Sequence, residues 1–144
     1  MNRTFTKLLV LALLIVTAFG ACTKNSDVLS ITKDNLAGTY TIITVKAKAA
    51  GASEQDVTSA NFDPCEMDDQ IVLKSDLTAT YVDAGTQCTP AGGGSDYWSF
   101  NSGILTIAGE DFTVRSLTKS TLVLEQTANV SGLVVTVTST YRRY

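Results

Sequence analysis

The chain opens on a short positive segment, Arg3 and Lys7, and runs into an apolar stretch, Leu8 to Ala18, broken only by Thr17. That stretch is too short to persist as a bilayer-spanning helix and ends in small residues, as an export signal does. Thr23 to Leu29 is polar and aperiodic, which predicts a tether. Thr32 to Leu36 can form one helical turn, with Thr32 as its cap and Gly38 as its stop. Beyond that point no segment repeats its apolar residues with helical spacing, and the pattern becomes alternation.

The alternating segments predict strands at Tyr40–Lys48, Gln70–Lys74, Thr78–Asp83, Tyr97–Phe100, Ile104–Ile107, Asp111–Leu117, Thr121–Gln126 and Leu133–Tyr141, with Val57–Phe62 a weaker extended piece. Turns of about three residues join the later strands, which makes neighbours antiparallel, because parallel strands need a long crossover. Trp98 with Phe100, Leu105 with Ile107, Phe112 with Val114, Leu122 with Leu124 and Val135 with Val137 mark one face. Ser99, Thr106, Thr113, Arg115, Glu125, Thr136 and Thr138 mark the other, as a one-sided core requires. The prediction is an all-β, antiparallel up-and-down meander of about eight strands that closes on itself, since closure removes its edges. The most flexible connection is Ala84–Asp96, which holds Cys88, Pro90 and Gly92 to Gly94.

Small residues lead directly to a cysteine at Phe19-Gly20-Ala21-Cys22, the pattern of a lipoprotein-processing site, although Phe19 stands where an aliphatic residue is usual; an ordinary signal peptide with an incidental cysteine, or a single-pass anchor, is the alternative. Residues 1–21 are expected to be removed, Cys22 to carry the lipid, and 22–29 to tether a single domain over 30–144. Lipid chains then supply the membrane attachment. Thr23, rather than Asp, follows Cys22, so outer-membrane sorting is expected, facing the periplasm or the cell surface.

Charge and composition narrow the chemistry. The 11 basic residues lose Arg3 and Lys7 on processing while all 14 acidic ones remain, leaving a charge near −5. An acidic domain without a basic cluster argues against nucleic acid. The one basic pair, Arg142-Arg143, reads as a solvated strand end. There is no histidine, which removes the commonest general base and metal ligand. Cys65 and Cys88 remain after Cys22. An even pair in an exported protein reads as a disulfide, with two free buried thiols or a redox pair as the alternatives. No Cys-x-x-Cys spacing supports redox work.

Particular motifs carry a family resemblance. Leu36-Ala37-Gly38-Thr39-Tyr40 resembles the Leu-x-Gly-x-Trp/Tyr opening of lipocalin-like domains, in which a one-turn helix leads into the first strand. Cys65-Glu66-Met67-Asp68-Asp69 before a strand resembles a block in the small lipocalin-like lipoproteins of Gram-negative bacteria. Thr80-Tyr81, Cys88 and Tyr97-Trp98 follow in the matching order, as do the runs Gly103–Ile107 and Val114–Leu124 and the ending Thr140-Tyr141-Arg142. The similarity covers nearly all of residues 30–144. Tyr40 stands where Trp is commoner, and the turn before Thr78 is Asp76-Leu77 rather than Asp-Gly. The resemblance implies a lipocalin-like barrel. It implies no reaction and carries over no ligand contact.

The acidic group Asp63, Glu66, Asp68 and Asp69 could suit Ca²⁺, but the spacing of a helix–loop–helix calcium site is absent, and a solvated turn explains it. Gly92–Gly94 lacks the Lys-Ser/Thr of a phosphate loop. No catalytic residue, metal or cofactor is expected. The expected function is a membrane-anchored binding module for a small hydrophobic or amphipathic molecule, with Tyr40, Tyr81, Trp98, Phe100 and Phe112 as candidate cavity-lining residues. The competing reading is a protein-interaction or structural envelope lipoprotein with a filled barrel, working through the loops Ala49–Gln55 and Ala84–Asp96. The sequence names no protein partner.

Overall fold

A computed structural model describes residues 27–144. The expected signal, the lipidation at Cys22 and most of the tether lie outside the described residues. The elements are α1 (Lys33–Leu36), β1 (Gly38–Ala49), β2 (Gln55–Asp56), α2 (Thr58–Asn61), β3 (Gln70–Leu73), β4 (Thr78–Val82), β5 (Gly94–Asn101), β6 (Ile104–Ile107), β7 (Glu110–Leu117), β8 (Thr121–Val130) and β9 (Leu133–Arg143). Strands β3 to β9 pair in sequence order, every pair antiparallel, and β1 joins β3 on one side and β9 on the other. The result is a closed barrel of eight strands, with β2 as a two-residue addition along β1. The expected all-β meander and its closure are both present.

Local chemistry sets the register. Three hairpins turn on two residues with positive φ: Ser102-Gly103 (49° and 87°), Ala108-Gly109 (51° and 85°) and Ser131-Gly132 (52° and 83°). These are type I′ turns, whose twist matches that of the strands they join. The β8–β9 turn is tighter than the sequence pattern suggested. Asn129 Oδ1 accepts the Gly132 amide at 2.9 Å, so the ladder continues to the Val130–Leu133 pair.

The inner face carries the core: Leu36, Tyr40, Leu73, Ala79, Trp98, Leu105, Leu117, Leu122 and Leu124 are all buried. The base is closed by α1. Thr32 caps it by accepting the Asn35 amide at 3.2 Å, and Leu36 is fully buried. Tyr40 on β1 donates to the Leu36 carbonyl at 2.7 Å. Arg143 donates from Nη2 to the carbonyls of Asn35 at 3.0 Å and Ala37 at 3.3 Å. The reading of Arg142-Arg143 as a solvated strand end is therefore corrected for Arg143. Its guanidinium is half-buried and satisfies carbonyls that the end of α1 leaves without helical partners. Gly38 does not end α1 with a left-handed residue: the chain leaves the helix through an extended Ala37.

Val57–Phe62 is also corrected, from an extended segment to the single turn α2. Asp56 Oδ1 accepts both the amide and the hydroxyl of Thr58, at 2.9 and 2.6 Å, and Asn61 Nδ2 donates to the Val57 carbonyl. Such short polar side chains offer the backbone an alternative to the ladder.

Candidate functional site

The barrel ends differently at its two faces. At the base, the entering chain is bound: Leu29 donates its amide to the Leu117 carbonyl, and Lys119 donates to Asp27, both at 2.9 Å. At the opposite end, where β3 begins and β4 finishes, the segment between α2 and β3 folds across the mouth as a lid. Beneath that lid lies a cavity of about 190 Å³, lined by Ile42, Phe62, Glu66, Asp69, Gln70, Ile71, Tyr81, Val82, Gly93 and Tyr141.

Deeper in the barrel the space runs out. A void of only about 10 Å³ remains among Tyr40, Ile71, Leu73, Ile107, Leu122, Leu124 and Tyr141, at the lower limit for one water. The barrel interior is filled, and the room inside it is confined to the mouth. An apolar cavity of about 150 Å³ holds a benzene ring, whereas drug-sized sites take about 300–1,000 Å³. The mouth therefore fits one ring or a short chain.

The lid is fastened at several points. The Cys65–Cys88 disulfide ties it to the β4–β5 loop, with the two Cα atoms 5.4 Å apart. Asp68 Oδ2 accepts the Thr86 amide at 3.0 Å, and Asp69 Oδ1 accepts that of Ala84 at 3.1 Å. Gly85, at φ 63°, allows this approach, since a Cβ there would fall 2.2 Å from Asp68 Oδ2. On the other flank, Thr58 Oγ1 accepts the Val45 amide at 2.8 Å. The cavity is thus preformed by covalent and polar ties rather than by side-chain packing alone.

Its electrostatics are one-sided. Glu66 and Asp69 line it, with Asp68 and Asp83 in the adjoining loops. Each of the four carboxylates uses one oxygen on a loop amide, Glu66 on Asp63 and Asp83 on Gly92 completing the set. The second oxygens of Asp68 and Asp83 are buried without a partner. Among the described residues, the ion pairs are Lys46–Glu54, Arg115–Glu125 and Lys119–Asp27, all elsewhere. Arg142 does not line the cavity and shares with Asp68 a separate, open groove of about 320 Å³. Burial raises the Tyr81 phenol above its usual range, and the charge of Asp96 adds to this. Burial likewise raises Tyr141, opposed by a hydrogen bond with Ser139 and reinforced by the neighbouring Tyr81. Both phenols are neutral donors at physiological pH.

Asp69, Asp83 and Cys88 bring potential ligand atoms within 4.8 Å of one another. The Cys88 sulfur, however, is bound to Cys65 and presents no thiolate, which leaves two carboxylates.

The sequence-expected residues are divided by the barrel. Tyr81 lines the mouth cavity. Tyr40 lines only the void beneath it and ties down the base. Trp98 lies at the base, its indole N–H donating to the Lys74 carbonyl at 2.8 Å. Phe100 and Phe112 are half-buried against the core from β5 and β7 and do not line the mouth. Sequence reasoning missed Phe62, Tyr141 and Asp83. The alternation that places Val135 and Val137 on one face also places Tyr141 there. Nothing in the pattern marks Phe62, which reaches the cavity only because the lid folds across the mouth.

Comparison with curated proteins and with solved structures gave no match. The family model described as a lipocalin-like domain matches residues 36–124, from the end of α1 into β8. Such domains are generally binding scaffolds rather than catalytic ones. With more than half of its length matched, and with the closed antiparallel barrel that such domains share, the chain belongs to the lipocalin-like domain family.

Proposed function

We propose that the protein is a membrane-anchored lipocalin-like binding module, attached through lipid on Cys22, that holds a small amphipathic molecule at the barrel mouth. The observation that carries this reading is the preformed cavity of about 190 Å³ under a disulfide-fastened lid. Its walls combine Ile42, Phe62 and Ile71 with the phenols of Tyr81 and Tyr141, so one end of a ligand meets hydrocarbon and the other meets polar groups. The filled barrel below limits the cargo to a compact molecule. Thr23 after the anchor cysteine, where an Asp would signal inner-membrane retention, supports placement in the outer membrane, facing the periplasm or the cell surface. Even a fully extended chain from Cys22 to Asp27 reaches only roughly 18 Å, so a lipid on Cys22 keeps the point where the chain enters the base within that distance of the membrane.

The test has two parts. Cells given an alkyne analogue of palmitate should label the wild-type chain and not Cys22→Ala. Native mass spectrometry of the full chain released from its membrane should show a one-to-one adduct that denaturation removes. Label retained by Cys22→Ala contradicts the anchor, and an adduct-free chain contradicts the carrier.

One observation favours the second reading, a protein-interaction or structural module. The barrel is filled, and Val130, Leu133 and Val134 stand about half-exposed at the tip of the β8–β9 hairpin. This apolar group is confined to one hairpin tip and encloses no space, so it carries less weight than the cavity.

A further inference from the structure

The charge around the mouth is what selects among amphipathic molecules. Glu66 and Asp69 enter the cavity wall, and no lysine or arginine does. Asp68 and Asp83 stand in the loops that frame it. Asp96 lies near enough to Tyr81 to disfavour its ionisation. Every carboxylate among Glu66, Asp68, Asp69 and Asp83 has one oxygen fixed by a loop amide. That arrangement orients the groups without neutralising them. The lid and the β4–β5 loop thus hold several negative charges beside an apolar, partly enclosed space, where the low dielectric of the walls strengthens their field. An anion entering there would meet repulsion with no compensating donor cation. A neutral molecule would gain only the apolar contact. A cation would gain both the apolar contact and the attraction of the carboxylates, beside the neutral phenols of Tyr81 and Tyr141 in the same wall.

We propose that the mouth cavity takes a small organic monocation: an ammonium head against Glu66 and Asp69, with an apolar body of about one ring packed on Ile42, Phe62 and Ile71. This rests on the carrier reading above and specifies its ligand class. Glu66 and Asp69 are then specificity-determining residues, while Phe62 and Ile71 supply affinity that does not depend on charge. The same field draws a cation toward the mouth from solution, so association weakens as salt screens it.

The test compares three probes with closely similar bodies: phenethylammonium, phenethyl alcohol and 3-phenylpropanoate. Each is titrated calorimetrically into the full chain held in phosphatidylcholine nanodiscs, with empty discs as the blank. Phenethylammonium should bind one-to-one and about tenfold tighter than the alcohol, a difference typical of one charge-assisted contact. The propanoate should bind more weakly than the alcohol. The double change Glu66→Gln, Asp69→Asn keeps oxygen acceptors for the loop amides. It should bring the affinity for the ammonium down to that for the alcohol, and continued one-to-one binding of the alcohol shows that the cavity is still formed. Equal binding of ammonium and alcohol, or preference for the propanoate, overturns the cation assignment and leaves the carrier reading standing. Binding of none of the three overturns both. If the double variant loses the alcohol as well, the wild-type order of the three probes decides.

Discussion

Arg143 joins the last strand to the first helical turn. Its guanidinium donates to two carbonyls at the end of α1, and Tyr40 reaches the same turn from β1. Charge-assisted hydrogen bonds in a half-buried setting are among the stronger ones in a fold. Arg143→Ala should therefore lower stability by about 2 kcal/mol, whereas Arg142→Ala, on an exposed side chain, should change it by less than about 0.5 kcal/mol. Urea unfolding of the two variants checks the contrast, and equal midpoints would refute it. Neighbouring residues of one type have unlike roles here because alternation and strand end place only one of them over the base. The basic pair itself is plain in the sequence. Its division of labour is not, because the carbonyls that Arg143 satisfies lie more than a hundred positions earlier.

At the scale of elements, alternation was the readable signal. Alternate residues point into a single core from β5, β6 and the first half of β8 (Trp98, Leu105 with Ile107, Leu122 with Leu124), and short turns, three of them with glycine, fix the strand order. The strands and the closure could be anticipated on that basis, and the pairing of Cys65 with Cys88 from the even cysteine count in an exported protein. The lid could not, because its shape depends on local polar bonds: Asp56 to Thr58, Asn61 to Val57, Asp68 to Thr86. These leave no periodic trace, and they bring Phe62 into the cavity while Trp98, Phe100 and Phe112 pack elsewhere. The disulfide links residues 23 apart across the lid and the β4–β5 loop. Replacing both cysteines with serine should lower stability by roughly 3 kcal/mol on the chain-entropy account. Hydrogen exchange should rise first over residues 57–69 and 84–93, with β6 to β8 still protected. Uniform loss of protection across the barrel would mean that the bridge holds the whole fold rather than the lid.

For the molecule as a whole, three inward tyrosines set the alkaline limit. Burial is the main cause that raises the phenols of Tyr40, Tyr81 and Tyr141 above the ordinary value of 10.0. Above that value the unfolded chain releases these protons while the folded barrel keeps them. The folded state then binds more protons, and its stability falls as pH rises. The barrel should be insensitive to these groups below pH 10 and should unfold increasingly steeply above it. Tyr141→Phe, which removes one such proton, should move the alkaline midpoint upward relative to its stability at neutral pH. Circular dichroism against pH reads this directly, and a midpoint that moves down would contradict the assignment. The phenols of Tyr81 and Tyr141 line the open mouth and that of Tyr40 ties down the packed base, so the gradient from packed base to usable cavity is a property of the whole closed sheet.

The central claim is that this mouth, and not the hairpin tip or the barrel interior, is where the protein binds. Amide chemical-shift mapping during titration with phenethyl alcohol and phenethylammonium tests it most directly. Saturable shifts should be confined to residues around Phe62, Glu66, Asp69, Ile71, Tyr81 and Gly93, with Trp98 and residues 130–134 unmoved. Shifts centred on residues 130–134, or no saturable shift with either probe, would contradict it.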